Sequence, residues 1–410
     1  MPEQKVNKMI EKLKLHEFKL QSLLDITKGI NENYSVHKLL QIYEFILRDQ
    51  LGITKLMLFN KDVKWKCILK YGVRNKSRDI DVSLDLEHVK EITVIESSSK
   101  NSLNSFDVVI PVFHKEQPLA YLLIGDLNEQ AIKISPTIKH MPFIQTLTNI
   151  IVVAIENKRF AKESLQQERV KRELEVASEM QKLLFPKNLP SNNRLEIAGK
   201  YQSQHLVGGD YYDYIKLNNE EFVLCMADVS GKGVSAALLM SNFQANVRAI
   251  FSYNNFSLHK LIAELNTKVM DAAEGEKFIT FFVARYNSRT RDLHYVNAGH
   301  NHPILTDGVD AKLLGTGCTG LGMFEEIPAI REEFLTVKPN STLVLFTDGL
   351  VELENDEGVA FDTDKLINLL HKNFNKGLSE FNDLVFSELE DFKGEKPFFD
   401  DTAILSCRFK

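Results

Sequence analysis

The sequence has few of the features that mark secreted, membrane-spanning or nucleic-acid-binding proteins. It contains four cysteines in 410 residues, far apart and without a CxxC pair, so nothing indicates a disulfide framework. The apolar run Ile150 to Ile155 is far too short to cross a bilayer. Residues 1–14 lack the apolar segment of a signal peptide. We therefore expect a cytoplasmic protein without a membrane span.

The remaining composition is that of an ordinary globular protein. Hydrophobic residues make up 44% and charged residues 26% of the chain. The net charge of -6 provides no general basic field that would attract nucleic acid. A chain of 410 residues is long enough for two or three domains.

The segment from Val207 to Met240 suggests chemistry most strongly. Two strand-like runs are joined by a polar turn, with Asp210 just before the first and Asp228 at the end of the second. Antiparallel pairing of these strands would bring the two carboxylates together. Glycines precede Asp210 and follow Asp228, where the backbone would have to pass close to another group. Either half alone would be an ordinary loop.

Two later segments repeat this pattern of acids at strand ends. Asp348 follows the apolar run Leu343 to Phe346, and Asp400 and Asp401 precede the final strand-like run. No histidine or cysteine pair lies nearby at metal-ligand spacing. Carboxylates without soft ligands suit Mg²⁺ or Mn²⁺, and several at strand ends indicate a two-metal site acting on a phosphoryl group.

The order of these motifs resembles the metal-dependent (PPM-type) serine/threonine phosphatases, and most closely their bacterial SpoIIE/RsbU branch. The resemblance extends from Leu195 to Lys410, and the segment Asn297 to Asn301 is one of its motifs. It implies a β-sandwich flanked by helices, with metals at one edge. It also implies that Asp228 bridges two metals, followed by the Val229 carbonyl, that Asp210 binds one metal and that Asp348 and Asp400 bind the other. Asp213 and Asp401 are candidates for a supporting role.

One segment departs from the family pattern. The family commonly has two aspartates, any residue and then threonine, whereas this chain has Asp400-Asp401-Thr402-Ala403. A supporting hydrogen bond is therefore in doubt, whereas all four expected acids are present.

The N-terminal part, residues 1–158, resembles a GAF sensory domain. Two helical patterns are followed by strand-like runs, by a hairpin built from Val108 to Val112 and Leu119 to Gly125, and by a helix from about Pro142 to Lys158. The motif of the cyclic-nucleotide-binding GAF branch is not visible. Trp65, Cys67 and Tyr71 either line a pocket or pack on a half-buried strand, and packing is the simpler interpretation.

A charged helix is expected between the two halves, within residues 159–190. Its apolar residues recur at steps of four and three, which suits a short parallel coiled coil and hence a homodimer. A single helix lying on its own domain is the alternative. The stripe consists of Val170, Leu174, Ala177, Met180 and Leu184. The predicted organisation is α+β, with a GAF-like α/β sensor, this linker, and a PPM-type α-β-β-α sandwich at 191–410.

Two functions follow from this organisation. The first is a protein serine/threonine phosphatase that uses two Mn²⁺ or Mg²⁺ ions and is regulated by the N-terminal sensor. By resemblance, its substrate is a STAS-type antagonist of an anti-sigma factor. The alternative is a catalytically silent scaffold that binds a phosphoprotein; the altered Asp400 to Ala403 segment is its support.

Overall fold

The computed structural model describes residues 2–73, 80–95, 102–125, 140–252 and 257–410. The chain divides into two compact units, Met1–Glu168 and Arg169–Lys410. None of the helices within the described ranges is long and apolar enough to cross a membrane.

The first unit packs helices against one antiparallel sheet. Sheet order is β2-β1-β5-β4-β3. Leu56 and Leu58 face a core shared with the helices, whereas Met57 and Phe59 face a smaller cluster on the other side. Bounds are α1 Pro2–Asn31, α2 Val36–Phe45 (then a π turn, Ile46–Gln50), β1 Lys55–Lys61, β2 Trp65–Tyr71, α3 Val82–Asp85, β3 Thr93–Val94, β4 Val108–His114, β5 Gln117–Gly125 and α4 Met141–Lys182.

Three expectations for this part of the chain can be compared with the structure. The hairpin is confirmed as β4 and β5, with its turn at Lys115 and Glu116. The two helices expected at 142–158 and 160–184 are one continuous helix, α4, because no glycine or proline interrupts it. Trp65 packs its ring 5.3 Å from that of Tyr121 and lines a surface cavity, whereas Tyr71 lies in the main core.

The second unit is a sandwich of two sheets. Their orders are β13-β10-β9-β8-β7, with β14 pairing β10, and β12-β11-β15-β16-β6. Bounds are β6 Leu195–Gln202, β7 Tyr211–Lys216, β8 Glu221–Val229, α5 Val234–Ser252, α6 Leu258–Ala273, β9 Ile279–Asn287, β10 Asp292–Ala298, β11 Ile304–Thr306, β12 Ala311–Leu313, β13 Gly317–Cys318, β14 Glu333–Thr336, β15 Ser341–Phe346, α7 Asp348–Val351, α8 Thr363–Lys372, α9 Leu378–Lys393 and β16 Thr402–Phe409.

Alternation along the strands produces the four layers of this sandwich. On β8, Leu224 and Met226 face the space between the sheets, whereas Cys225 and Ala227 face α5 and α6. On β15, Leu345 faces the inner core, while its neighbours face α8 and α9. The result is the α-β-β-α order that the resemblance implies. The short elements β11 to β14 and α7, each of two to four residues, were not predicted.

Candidate active site

The hairpin of β7 and β8 brings the first two acids together. Tyr211 pairs with Ala227, so Asp210 and Asp228 come from neighbouring ends of adjacent strands. The two carboxyl groups are close enough for each to affect the pKa of the other. Asp210 is only 1% exposed, and its Oδ2 has no hydrogen-bond partner. The expected approach of these two acids is therefore confirmed.

The second sheet supplies the other two acids. Strands β15 and β16 pair with Phe346 opposite Ile404. Asp348 follows the end of β15 as the first residue of α7, and Asp400 lies two residues before β16 begins. The charge of Asp400 acts on Asp348, and the charge of Asp348 acts on Asp228. The four acids thus form one electrostatically linked group at adjacent edges of the two sheets.

Burial and mutual repulsion raise the pKa values of these acids. Burial, followed by the charge of Asp348, raises the pKa of Asp228 to about 7. Burial, followed by the charge of Asp400, raises the pKa of Asp348 to about 6. The pKa of Asp210 is well above its usual value, through burial and then the charge of Asp228. A bound cation would relieve this repulsion.

The donor chemistry of this group fits hard divalent cations. All four side chains offer oxygen, and Asp210 Oδ2 is a buried acceptor without a donor. The Val229 carbonyl lies so near Gly209 that a Cβ there would be 3.1 Å from it. Within the described ranges, however, no three His, Cys, Asp or Glu side chains lie close enough together to form a complete set of metal ligands. The residues fit Mg²⁺ or Mn²⁺ in charge and donor type, and binding requires the carboxylates to turn towards the ion.

Asp401 holds the loop that carries Asp210. Its carboxylate accepts hydrogen bonds from Gln204 N at 2.8 Å and from Gly209 N at 2.6 Å. A Cβ on Gly208 would lie 2.2 Å from Asp401 Oδ2 and 1.9 Å from the Tyr201 hydroxyl, so only glycine fits there. Asp401 therefore contacts the backbone next to a ligand candidate, in line with a supporting role.

Thr347 is a supporting residue that sequence reasoning missed. Its buried hydroxyl accepts a hydrogen bond from Ala403 N at 2.9 Å and lies close to Asp210, whose pKa it lowers against the larger opposing effect of burial. Thr402, the threonine of the altered segment, directs its hydroxyl to the Asp400 carbonyl at 3.5 Å. The hydroxyl beside the acids thus comes from Thr347, at the end of β15. The position of Thr347 next to Asp348 is the feature of the sequence that could have indicated this contact.

The structure places Asp213 away from the acid group. Its buried carboxylate accepts hydrogen bonds from Arg248 Nε at 2.6 Å and from the Tyr211 hydroxyl at 2.6 Å. Tyr211 and Asp213 share the face of β7 that packs beneath the helices. These contacts are those of a buried ion pair beneath α5, and they give the expected supporting role beside the metals no support.

The Asn297 to Asn301 segment forms a turn in which the imidazole of His300 is buried, and the Nε2 of that ring has no hydrogen-bond partner among the described residues. His300 is buried, its backbone N–H donates to Asn297 Oδ1 at 2.7 Å, and its Nδ1 lies 2.9 Å from the Thr280 hydroxyl. Burial lowers the pKa of His300 to about 3, so the ring is neutral. A structural role agrees with these contacts.

The raised carboxyl pKa values predict a pH-dependent stability in the presence of chelator. Between 3.8 and about 7 the folded protein retains a proton on Asp228 that the unfolded chain has lost, so raising the pH favours unfolding. We expect the melting temperature in chelator to fall over this window. The Asp228→Asn variant should show a smaller fall in the same scan, and equal falls would contradict the shift.

Comparisons with known proteins agree with this geometry. Residues 218–410 match the family model of Stage II sporulation protein E (SpoIIE). Phosphoserine phosphatase RsbU of Bacillus subtilis (strain 168) is 28% identical over 195 residues, which cover 47% of this chain and 57% of that protein. Phosphoserine phosphatase RsbP of the same organism is 26% identical over 187 residues, 44% of this chain and 46% of that protein. The chain spans about half the length of the curated relatives it matches.

A solved structure supports the fold. The SiaA-PP2C domain of Pseudomonas aeruginosa superposes with a TM-score of 0.51 and 22% identity, over 60% of this chain and 99% of that chain. The four-layer sandwich and the order of the acid motifs agree with this likeness. Residues 218–410 are therefore similar to the SpoIIE family, and the second unit shares the fold of a PP2C domain.

Proposed function

We propose that this protein is a metal-dependent protein serine/threonine phosphatase. The observation that carries the proposal is the group of four acids, drawn from strand ends of both sheets, with one buried carboxylate oxygen lacking a donor. Relatives named as phosphoserine phosphatases support the same activity.

Each acid has a distinct task in this proposal. Asp228 would bridge two divalent ions, Asp210 and the Val229 carbonyl would complete one site, and Asp348 and Asp400 would form the other. The ions, when bound, would supply positive charge for the phosphoryl oxygens and a water of lowered pKa. Asp401 would keep the Gly209 backbone in place, and the Thr347 hydroxyl would orient Asp210.

The test is turnover by the full chain with Mn²⁺, with Mg²⁺ and with chelator. An aryl phosphate and a phosphoserine-bearing STAS-type protein serve as substrates. We expect hydrolysis that requires a divalent ion and stops in chelator. A folded protein that binds Mn²⁺ but hydrolyses neither substrate would favour the silent scaffold. Comparing STAS-type proteins with unrelated phosphoproteins tests the proposed substrate class.

The N-terminal unit would regulate this site through α4. The helix begins with residues of the first unit's core, such as Leu147 and Ile151, and continues to Lys182. Its last turn carries Gln181, whose Nε2 donates to the Gly208 carbonyl at 2.7 Å and whose Oε1 accepts from Gly208 N at 3.1 Å. This pairing supports a mechanical link from the helix to the loop of Asp210. The resemblance to a GAF domain would make the first unit the sensor.

The same helix would mediate a homodimer. Val170 and Met180, two members of the predicted apolar stripe, are 50% and 61% exposed, and a partner helix would cover them. The oligomeric state of the full chain in solution tests this.

We expect Gln181→Met to weaken the hold on Asp210. The substitution keeps the length of the side chain but leaves the buried N–H and carbonyl of Gly208 without their partner, which costs about 1–3 kcal/mol. The Mn²⁺ concentration for half-maximal turnover should therefore rise. Gln167→Met, on an exposed part of the same helix, is the matched control. Equal metal requirements in wild type and both variants would eliminate this link.

A further inference from the structure

Lys232 is placed by its loop against one of the ligand candidates. It lies between Gly231 and Gly233, which have φ values of 85° and 77° that favour glycine. Its Nζ lies 2.9 Å from Asp400 Oδ2 and also donates to the Phe399 carbonyl. The two side chains are 43% and 29% exposed.

We infer that Lys232 is a tethered counter-ion that competes with a divalent cation for Asp400. The inference rests on the proposed metal site. A carboxylate oxygen that accepts from an ammonium group and also binds a divalent ion holds two positive charges within about 4 Å of each other, and these repel. When a metal ion binds at Asp400, Lys232 must therefore move away. If Lys232 stays in place, the affinity of the site for the ion is lower.

The surroundings of Lys232 favour this role over that of an ordinary surface ion pair. Exposed pairs contribute little to stability, but this one occupies a carboxylate oxygen of Asp400, a ligand candidate. The charge of Lys232 also reaches Asp348, whose pKa it lowers against the larger opposing effects of burial and Asp400. Lys277, the other lysine beside this loop, donates instead to the Ser230 carbonyl at 2.9 Å.

The role makes a prediction opposite to that for a metal-supporting residue. Lys232→Met retains the length of the side chain and removes its charge, so the affinity for Mn²⁺ should rise by at least about tenfold, since a divalent and a monovalent cation about 4 Å apart repel by more than a tenfold equivalent even at the dielectric constant of water. Lys232→Arg retains the charge and should stay close to wild type. Lys200→Met removes a lysine paired with Asp383 on another face of the fold and should change nothing.

The experiment is titration of the full chain with Mn²⁺ after the chelator has been removed. Binding is measured by calorimetry and by the electron paramagnetic resonance signal of free Mn²⁺. Melting temperature in chelator is the second readout: it should fall in Lys232→Met, since the acids lose a compensating charge. Lys232→Gln repeats both measurements should the methionine variant not fold.

The outcomes separate this inference from the proposed function. Wild type that binds Mn²⁺ and hydrolyses phosphoserine, with no tighter binding in Lys232→Met, would overturn the counter-ion role alone. Unchanged Mn²⁺ affinity with a raised KM for the phosphoprotein would show a substrate contact instead and also overturn it. Wild type that neither binds Mn²⁺ nor turns over would reject the proposed function and the inference with it.

Discussion

Replacing Asp228 with asparagine is expected to reduce metal-dependent turnover by at least about 100-fold, the loss reached when residues merely behind the ligands are removed. The charge of Asp228 acts on Asp210, and the charge of Asp348 acts on Asp228. Its loss should remove binding strength from both proposed ion sites. The measurement is the initial rate of phosphoserine hydrolysis over a range of Mn²⁺ concentrations.

Stability separates a catalytic loss from a folding loss in this variant. Burial and the charge of Asp348 both disfavour the charged form of Asp228. The asparagine variant should therefore be at least as stable as wild type in chelator near neutral pH. Asp383→Asn, at an exposed carboxylate on α9, is the control and should keep its activity. A wild-type rate in Asp228→Asn would reject the assigned site.

Replacing Arg248 with methionine is expected to destabilise the second unit without altering its metal requirement. Asp213 is fully buried and accepts from Arg248 Nε at 2.6 Å and Nη2 at 3.0 Å. Without Arg248, the carboxylate retains only the Tyr211 hydroxyl and the Tyr214 N–H. Breaking a buried pair costs about 3–5 kcal/mol; since the Arg248 side chain is 46% exposed, we expect about 2–3 kcal/mol. Denaturant unfolding measures it.

Arg289→Met is the matched control for this prediction. Arg289 pairs with Glu220 at 3.3 Å, and both side chains are largely exposed, so its loss should cost less than about 1 kcal/mol. Should Arg248→Met instead keep its stability and lose Mn²⁺ affinity, Asp213 would regain the role beside the metals that its position three residues after Asp210 had suggested.

The acid group was open to prediction because strand pairing follows from local pattern. Alternation along β8 identifies a strand with a helix side and an inner side, as Cys225 and Leu224 illustrate. A short polar turn then makes Asp210 and Asp228 neighbours. The same alternation placed Asp213 on the helix side with Tyr211, and this consequence was overlooked in favour of proximity in sequence.

Contacts between distant residues were not open to prediction. Gln181 is hydrogen-bonded to Gly208, and Thr347 lies close to Asp210. No periodic pattern in the sequence indicates either contact. The short strands β11 to β14 were missed for a related reason, because two to four residues carry too little alternation to be recognised.

The order of the motifs, through the resemblance to PPM-type phosphatases, was thus enough to expect the sandwich and to select Asp210, Asp228, Asp348 and Asp400 as candidates, while periodic burial and turn chemistry indicated the strands and turns that carry them. The directions of side chains in the loops depended on the assembled sheets. Asp401 faces the Gly209 backbone and Lys232 faces Asp400 because loop backbones follow no repeat, and their side chains pair with whatever the packing of the two sheets brings within reach.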